Sequence, residues 1–446
     1  MRGTAASVTE RYRQRCEDPH GGLRDVMARL PLPPAMRASS GHRLLPRPLF
    51  VEESALLGFA ADATALFELL VAMPGRLFGG DLDRYCEAIG MDAAHAALNR
   101  SAGGGAPPLY GRADMYHDGT AFRLLEFNIA SELGGVDRAG ELPALLNTCE
   151  AFAAFAQEEK LGWVHTGHEV ARTLRDAGRA VSGGREPVVA LLEGPGGMEA
   201  YGDDWRAFRE MTRAAGLDLR LGEIGDITVH DGTVLLDGVR VDVVLRTFSV
   251  DEVLGDERAM ALVGPLVRAH LDGRVLLWTT MESNLFNPKS ALALLHEPRT
   301  RSLLSVPEAA LVDRVVPWTR TLRAGDAETA ERCRREREHL VLKPPAGYGG
   351  SGVVAGWECE PADWERAVEL GLAQGHVVQQ RVVPRDEPVL DPDTGAVAPW
   401  HAAWGLFLTP SGYAGSYARL VPAGSRAVIG VEAPGARIAA VFSTPG

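Results

Sequence analysis

The spacing of hydrophobic positions changes character along the chain. Between residues 50 and 100 apolar residues recur at helical spacing, in ESALLGFAADATALFELLVAM and DLDRYCEAIGMDAAHAALNR, and the run SAGGGAPP closes that stretch as a loop. GRADMYH and FRLLEFN then flank Asp118 and Gly119, which predicts two strands joined by a hairpin turn. From residue 187 strands and helices alternate: PVVALLE, the helix DDWRAFREMTRAAG, LRLGEI, a hairpin in ITVHDGTVLLDG, VDVVLRTF, a helix to about 271, and RVLLWTT. That order predicts a small α/β unit with a parallel sheet.

PKSALALLHE predicts a helix starting near Pro288, and an arginine-rich helix precedes residue 339. The strand HLVLKP, the loop AGYGGSG, the strand VVAGWE, the helix PADWERAVELGLA, the strand VVQQRV and three or four strands between 400 and 442 complete an α+β unit. RDEPVLDPDTGAVAP, residues 385 to 399, reads as a long mobile loop.

Length and composition narrow the class. A chain of 446 residues is enough for about three compact units, and 46% apolar with 24% charged residues are globular proportions. No run is read as approaching the ~18–20 apolar residues of a membrane span. With 46 basic against 59 acidic residues the net charge is −13, which favours neither nucleic acid nor an anionic membrane and points to a small-molecule partner. The N-terminus shows no hydrophobic signal region, and the five cysteines (16, 86, 149, 333, 359) lie far apart without a CxxC pair. These features predict a cytoplasmic location, inert reduced thiols and no structural metal. Oligomeric state is not legible.

Only three of the 46 basic residues are lysine: Lys160, Lys289 and Lys343. Where arginine has replaced lysine almost everywhere, a retained lysine marks a position that needs a compact point charge rather than a planar fork. Lys343 sits in VLKPPAGYGGSGV, where a strand runs into a glycine-rich loop and out into another strand. Glycines let backbone N–H groups approach phosphate oxygens while the lysine supplies charge. The second constellation is Arg112, Asp114, Glu126 and Asn128. Alternate strand residues share a face, so the hairpin sets the four side by side. Two carboxylates and an amide oxygen there suit magnesium, and the arginine suits a phosphoryl group in transfer.

Together KPxxGYGGxG, the ExN motif at Glu126 and Asn128, and the strand VVQQRV resemble the ATP-grasp superfamily, in which a nucleotide lies between two α+β lobes. The ExN element precedes the lysine loop by 217 residues, so the chain is similar to the circularly permuted branch that includes glutathionylspermidine synthetase-like ligases. The resemblance implies an α/β and α+β fold: a permuted ATP-grasp core with a small Rossmann-like substrate (pre-ATP-grasp) domain. Its divisions are a helical region 1–100, a magnesium-binding part 101–185, a substrate domain 186–300, and a lysine, glycine-loop and hinge lobe 301–446.

Carried over, the resemblance makes ATP and Mg2+ the cofactors, with Asp114, Glu126 and Asn128 as magnesium ligands and Arg112 stabilising the transition state. Lys289 and Lys343 are the nucleotide lysines, Gly349 and Gly350 close over the phosphates, and Gln379 and Gln380 lie on the hinge strand that reads adenine and ribose. Gln380 stands where the family usually carries glutamate. Ser131, Glu199, Arg246 and Thr247 are implied substrate contacts. The implied activity is ADP-forming ligation of a carboxylate to an amine through an acyl phosphate. The expected substrates are amino acids or a short peptide, with the side-chain carboxylate of glutamate as a specific candidate, in natural-product biosynthesis. A small-molecule kinase on the same fold and a non-catalytic nucleotide-binding regulator are the alternatives.

Overall fold

The computed structural model describes residues 6–18, 22–40, 43–103, 105–345, 350–425, 428–430 and 433–446. Its largest sheet has seven strands. β1 (Leu49–Glu52), β18 (Arg437–Thr444), β17 (Gly412–Pro422), β16 (Val397–Thr409), β2 (Gly111–His117) and β3 (Phe122–Ile129) lie in that spatial order, and β15 (Asp386–Leu390) pairs separately with β16. The β1–β18 pair is parallel and the rest are antiparallel.

The long strands are almost uninterruptedly apolar because both faces of this sheet are covered. Leu406, Leu408, Ala439 and Val441 pack into one core with the helix Glu53–Phe78. Phe407, Ile438, Ala440 and Phe442 face the other, beneath the helices Val136–Thr148 and Thr166–Ser182. Period-two side-chain alternation thus feeds two cores from one strand.

The small α/β unit has the parallel order β10 (Leu276–Trp278), β9 (Val243–Arg246), β4 (Val189–Glu193), β5 (Leu219–Glu223). Here too Val189 and Leu191 face one core while Ala190 and Leu192 face another. The short meander β6 (Ile227–His230), β7 (Thr233–Leu236), β8 (Val239–Arg240) projects from it, turning at Asp231, whose φ is 48°. A third, antiparallel sheet runs β11 (Thr319–Thr321), β14 (Val377–Gln380), β12 (Leu340–Lys343), β13 (Val354–Ala355). It packs on Cys333 and Trp364 from the helices Ala327–Arg335 and Pro361–Gln374.

Three readings of the sequence change. The stretch 385–399 is a β-hairpin rather than a long mobile loop: Glu387 is buried against Arg47 at 2.8 Å, and the Asp391 carboxylate caps the turn by accepting from the N–H groups of Asp393 and Thr394. Pro388 is accommodated because β15 is an edge strand. The chain from 301 to 446 divides between two sheets, with β11–β14 in one and β15–β18 beside β2 and β3 in the other. Finally, Glu53–Phe78 does contain an apolar window long enough to cross a membrane, and half of that window is buried within the fold.

Candidate active site

The hairpin β2–β3 forms where the sequence places its turn. The Asp118 carboxylate accepts from the N–H groups of Thr120 and Ala121, both at 2.8 Å, and Gly119 takes a φ of 98°. Register then sets Arg112 opposite Asn128 and Asp114 opposite Glu126. Beyond that pair the register slips: Met115 faces Leu124 and Leu125 is left without a partner. The bulge frees the Leu125 carbonyl, which accepts from Lys343 Nζ at 2.9 Å.

Asp114 is buried and held from three sides. Arg112 donates to it through Nε at 2.7 Å and Nη2 at 2.9 Å, Arg419 on β17 stands 3.0 Å away, and Asn128 Nδ2 lies at 3.4 Å. Burial pushes this carboxyl up, but the two guanidinium groups outweigh it and hold Asp114 well below the ordinary carboxylate range. Arg112 also donates to the Gly134 carbonyl at 2.8 Å.

The lysines approach from the facing elements. Lys289, which opens the helix Lys289–Leu294, places Nζ 3.5 Å from Glu126 Oε2. Lys343, at the end of β12, donates to Gln379 Oε1 at 2.7 Å, and Gln379 Nε2 in turn donates to Thr319 Oγ1 at 3.2 Å. Burial and the neighbouring Lys289 pull Lys343 down to about 8 against the attraction of Glu126 and Asp114. A cleft of about 690 Å³ joins Arg112, Asp114, Glu126, Asn128, Lys289, Lys343, Gly350, Gln379 and Gln380. Gln379 is 2% exposed and committed to Lys343, while Gln380 is open to the cleft beside Arg381, which stacks on Trp357 at 3.9 Å. Gly349 lies outside the described residues.

The four implied substrate contacts sit elsewhere. Ser131 is buried and its Oγ accepts from Thr279 N at 2.9 Å, tying β3 to β10. Arg246 is fully buried; its guanidinium holds Glu132, the Phe248 carbonyl and the Thr279 carbonyl. Thr247 donates to the Leu192 carbonyl at 2.8 Å and lines a second, smaller pocket of about 300 Å³. Glu199 is exposed in the first turn of the helix Gly197–Ala214 and lines neither cavity. Sequence reasoning missed Arg419, Trp357 and Arg381, and also Gly405 on β16, where a Cβ would meet Tyr417 Cε1 at 2.8 Å and Arg112 Cδ at 3.0 Å. No local motif marks any of them.

The α/β architecture has four sheets among the described residues, and its likeness to solved structures is one of fold. The chain aligns with the glutathione synthetase-like effector GSS30 of Globodera pallida at a TM-score of 0.55 and 13% identity, over 90% of each chain. It is 29% identical over 252 residues to "Putative glutamate--cysteine ligase 2-2" of Frankia casuarinae and 31% identical over 248 residues to "Putative glutamate--cysteine ligase 2-3" of Frankia alni. Each match takes in 54% of this chain, which spans only 24% of the length of either relative. No family model matches the chain.

Proposed function

We propose that the chain is an ATP-dependent carboxylate–amine ligase that activates its acid as an acyl phosphate. The observation that carries this reading is the single cleft where two lysines from facing elements meet the hairpin bearing Arg112, Asp114, Glu126 and Asn128. The names of the two Frankia relatives support the same reaction type. The hairpin precedes the lysine strand in the chain, which supports the permuted arrangement.

Condensing a carboxylate with an amine lacks a leaving group, and phosphorylation supplies one. In the first step a carboxylate oxygen attacks the γ-phosphorus of ATP and ADP departs; in the second the amine lone pair attacks the acyl carbon, phosphate departs and the nitrogen loses a proton. Lys289 and Lys343 neutralise phosphate charge, and Arg112 and Arg419 face the phosphoryl group in transfer. The oxygen donors of Glu126, Asn128 and Asp114 are a hard set that would hold magnesium, which would supply charge neutralisation to the phosphates. Glu126 is more available than Asp114, whose oxygens already accept from both arginines. Gly350 belongs to the phosphate side of the cleft, and Gln380 to the nucleoside end. Thr247, with Ser131, Glu199 and Arg246 as second-line candidates, belongs to the substrate side.

The proposed acid is an amino acid, with the glutamate side chain as first candidate, and the setting is specialised metabolism. The test is ADP and phosphate release from purified chain with Mg-ATP across acids and amines, singly and in pairs. A product mass equal to the two substrates minus water is expected. Release with one acid alone and a phosphorylated product would replace the ligase with a kinase.

A further inference from the structure

The smaller pocket beside the cleft has an unusual charge. Glu132, Asp137, Glu193, Asp204 and Glu252 line it, and no lysine or arginine does. Arg246 pairs with Glu132 and Arg138 pairs with Asp204, each from outside the lining, which leaves Asp137, Glu193 and Glu252 without an ion pair among the described residues. Asp137 is 4% exposed, and its Oδ2 is buried with no hydrogen-bond partner among the described residues. A buried carboxylate oxygen without a donor is costly, and a ligand N–H or cation removes that cost.

Apart from Thr247, Ser249 and two glycines, the remaining walls are aliphatic or aromatic. Leu133, Val136, Trp205 and Phe208 face the same space, with Tyr201 exposed at the edge. Glu132 and Gly134 line both this pocket and the main cleft, and the Gly134 carbonyl accepts from Arg112. A molecule seated among these walls therefore reaches toward the reacting centre past Glu132.

We propose that this pocket takes the amine substrate and selects amines that carry no carboxylate: a cationic head on an apolar body, in place of the free amino acid expected from the sequence. The inference rests on the ligase reading and deepens it. An ammonium satisfies Asp137 and offsets the mutual repulsion of the carboxylates, while the carboxylate of an amino acid meets only like charge in a low-dielectric recess. Burial pushes Glu132 and Asp137 up, against the attraction of Arg246 on the first and Arg138 on the second, and lifts Glu193 to about 7.

The test is calorimetric binding to the full chain, with and without a non-hydrolysable ATP analogue, of phenethylamine against phenylalanine and cadaverine against lysine. Each amine is expected to bind at least about tenfold more tightly than its amino acid. Asp137→Asn and Glu193→Gln, on two different elements and checked for folding by near-UV circular dichroism, are each expected to weaken amine binding about tenfold. Equal or reversed preference, or undiminished amine binding in folded variants, overturns the proposal. Phosphate release is read separately. Selective amine binding without amine-dependent release supports the pocket and overturns the ligase; amino-acid-dependent ligation without amine preference does the opposite.

Discussion

Arg419 reaches across a whole strand to Asp114, its Nη2 standing 3.0 Å from Oδ2. β16 lies between them, and it offers only Ala403 and Gly405 on the rows where the two residues sit: Ala403 opposite Arg419, Gly405 opposite Asp114. Small residues on the middle strand are thus what lets an arginine from one neighbour close on a carboxylate from the other. Gly405→Ala would put a methyl group against Tyr417 and Arg112. We expect a loss of about 1–3 kcal/mol of stability from overpacking, and a fall in kcat of about tenfold or more because Arg112 is displaced. Turnover rates beside a denaturant titration test this, and unchanged kcat would show that Arg112 tolerates the shift.

Lys343 is aimed by Gln379, which is itself fixed by Thr319. Lys343→Met is expected to abolish turnover in a folded protein. Gln379→Leu keeps the charge but removes the acceptor that aims it, so kcat/KM for ATP should fall by roughly 10–100-fold while stability changes by about 1–2 kcal/mol. A folded Lys343→Met enzyme with full activity would remove this lysine from the phosphate site.

Asp114 and Glu126 should respond differently to substitution, although both are proposed magnesium ligands. Asp114→Ala leaves the largely enclosed Arg112 and Arg419 without the carboxylate that pairs both, so it is expected to cost about 3–5 kcal/mol and to lose structure before its metal role can be read. The Glu126 side chain is 36% exposed and pairs with Lys289 at 3.5 Å, so Glu126→Gln should fold normally. Its effect should be a magnesium requirement raised by about tenfold or more. Titrating activity against magnesium separates the two, and an unchanged requirement in Glu126→Gln would exclude it as a ligand.

What could be read from the sequence was local. The Asp118–Gly119 turn and the alternation around it place Arg112, Asp114, Glu126 and Asn128 before any coordinates, because a hairpin fixes its own register. The lysines stand out through the rarity of their residue type. Arg419 could not be found this way: its partner is 305 positions away in sequence and is chosen by the pairing of three strands. The same holds for the acidic pocket, whose carboxylates come from four separate segments. Residues 385–399 misled because Pro, Asp and Gly punctuate loops, whereas here they occupy an edge strand and its turn.

Glu193 gives the pocket a pH signature that needs no substrate. It accepts from Trp205 Nε1 at 2.6 Å and from Gly194 N at 3.1 Å, yet burial, with the nearby Glu252 adding to it, lifts the carboxyl from an ordinary 4.5 to about 7. Between those values the folded chain holds a proton that the unfolded chain has released, so this group subtracts stability as pH rises through that window, fully so above 7. Glu193→Gln mimics the protonated form. The variant should match the parent closely at pH 5 and exceed it by about 2 kcal/mol at pH 8. Urea midpoints at the two pH values measure the difference. A gap that does not widen with pH would mean that Glu193 is ionised at little cost, and that the pocket lacks the unmet negative charge on which its preference for a cation depends.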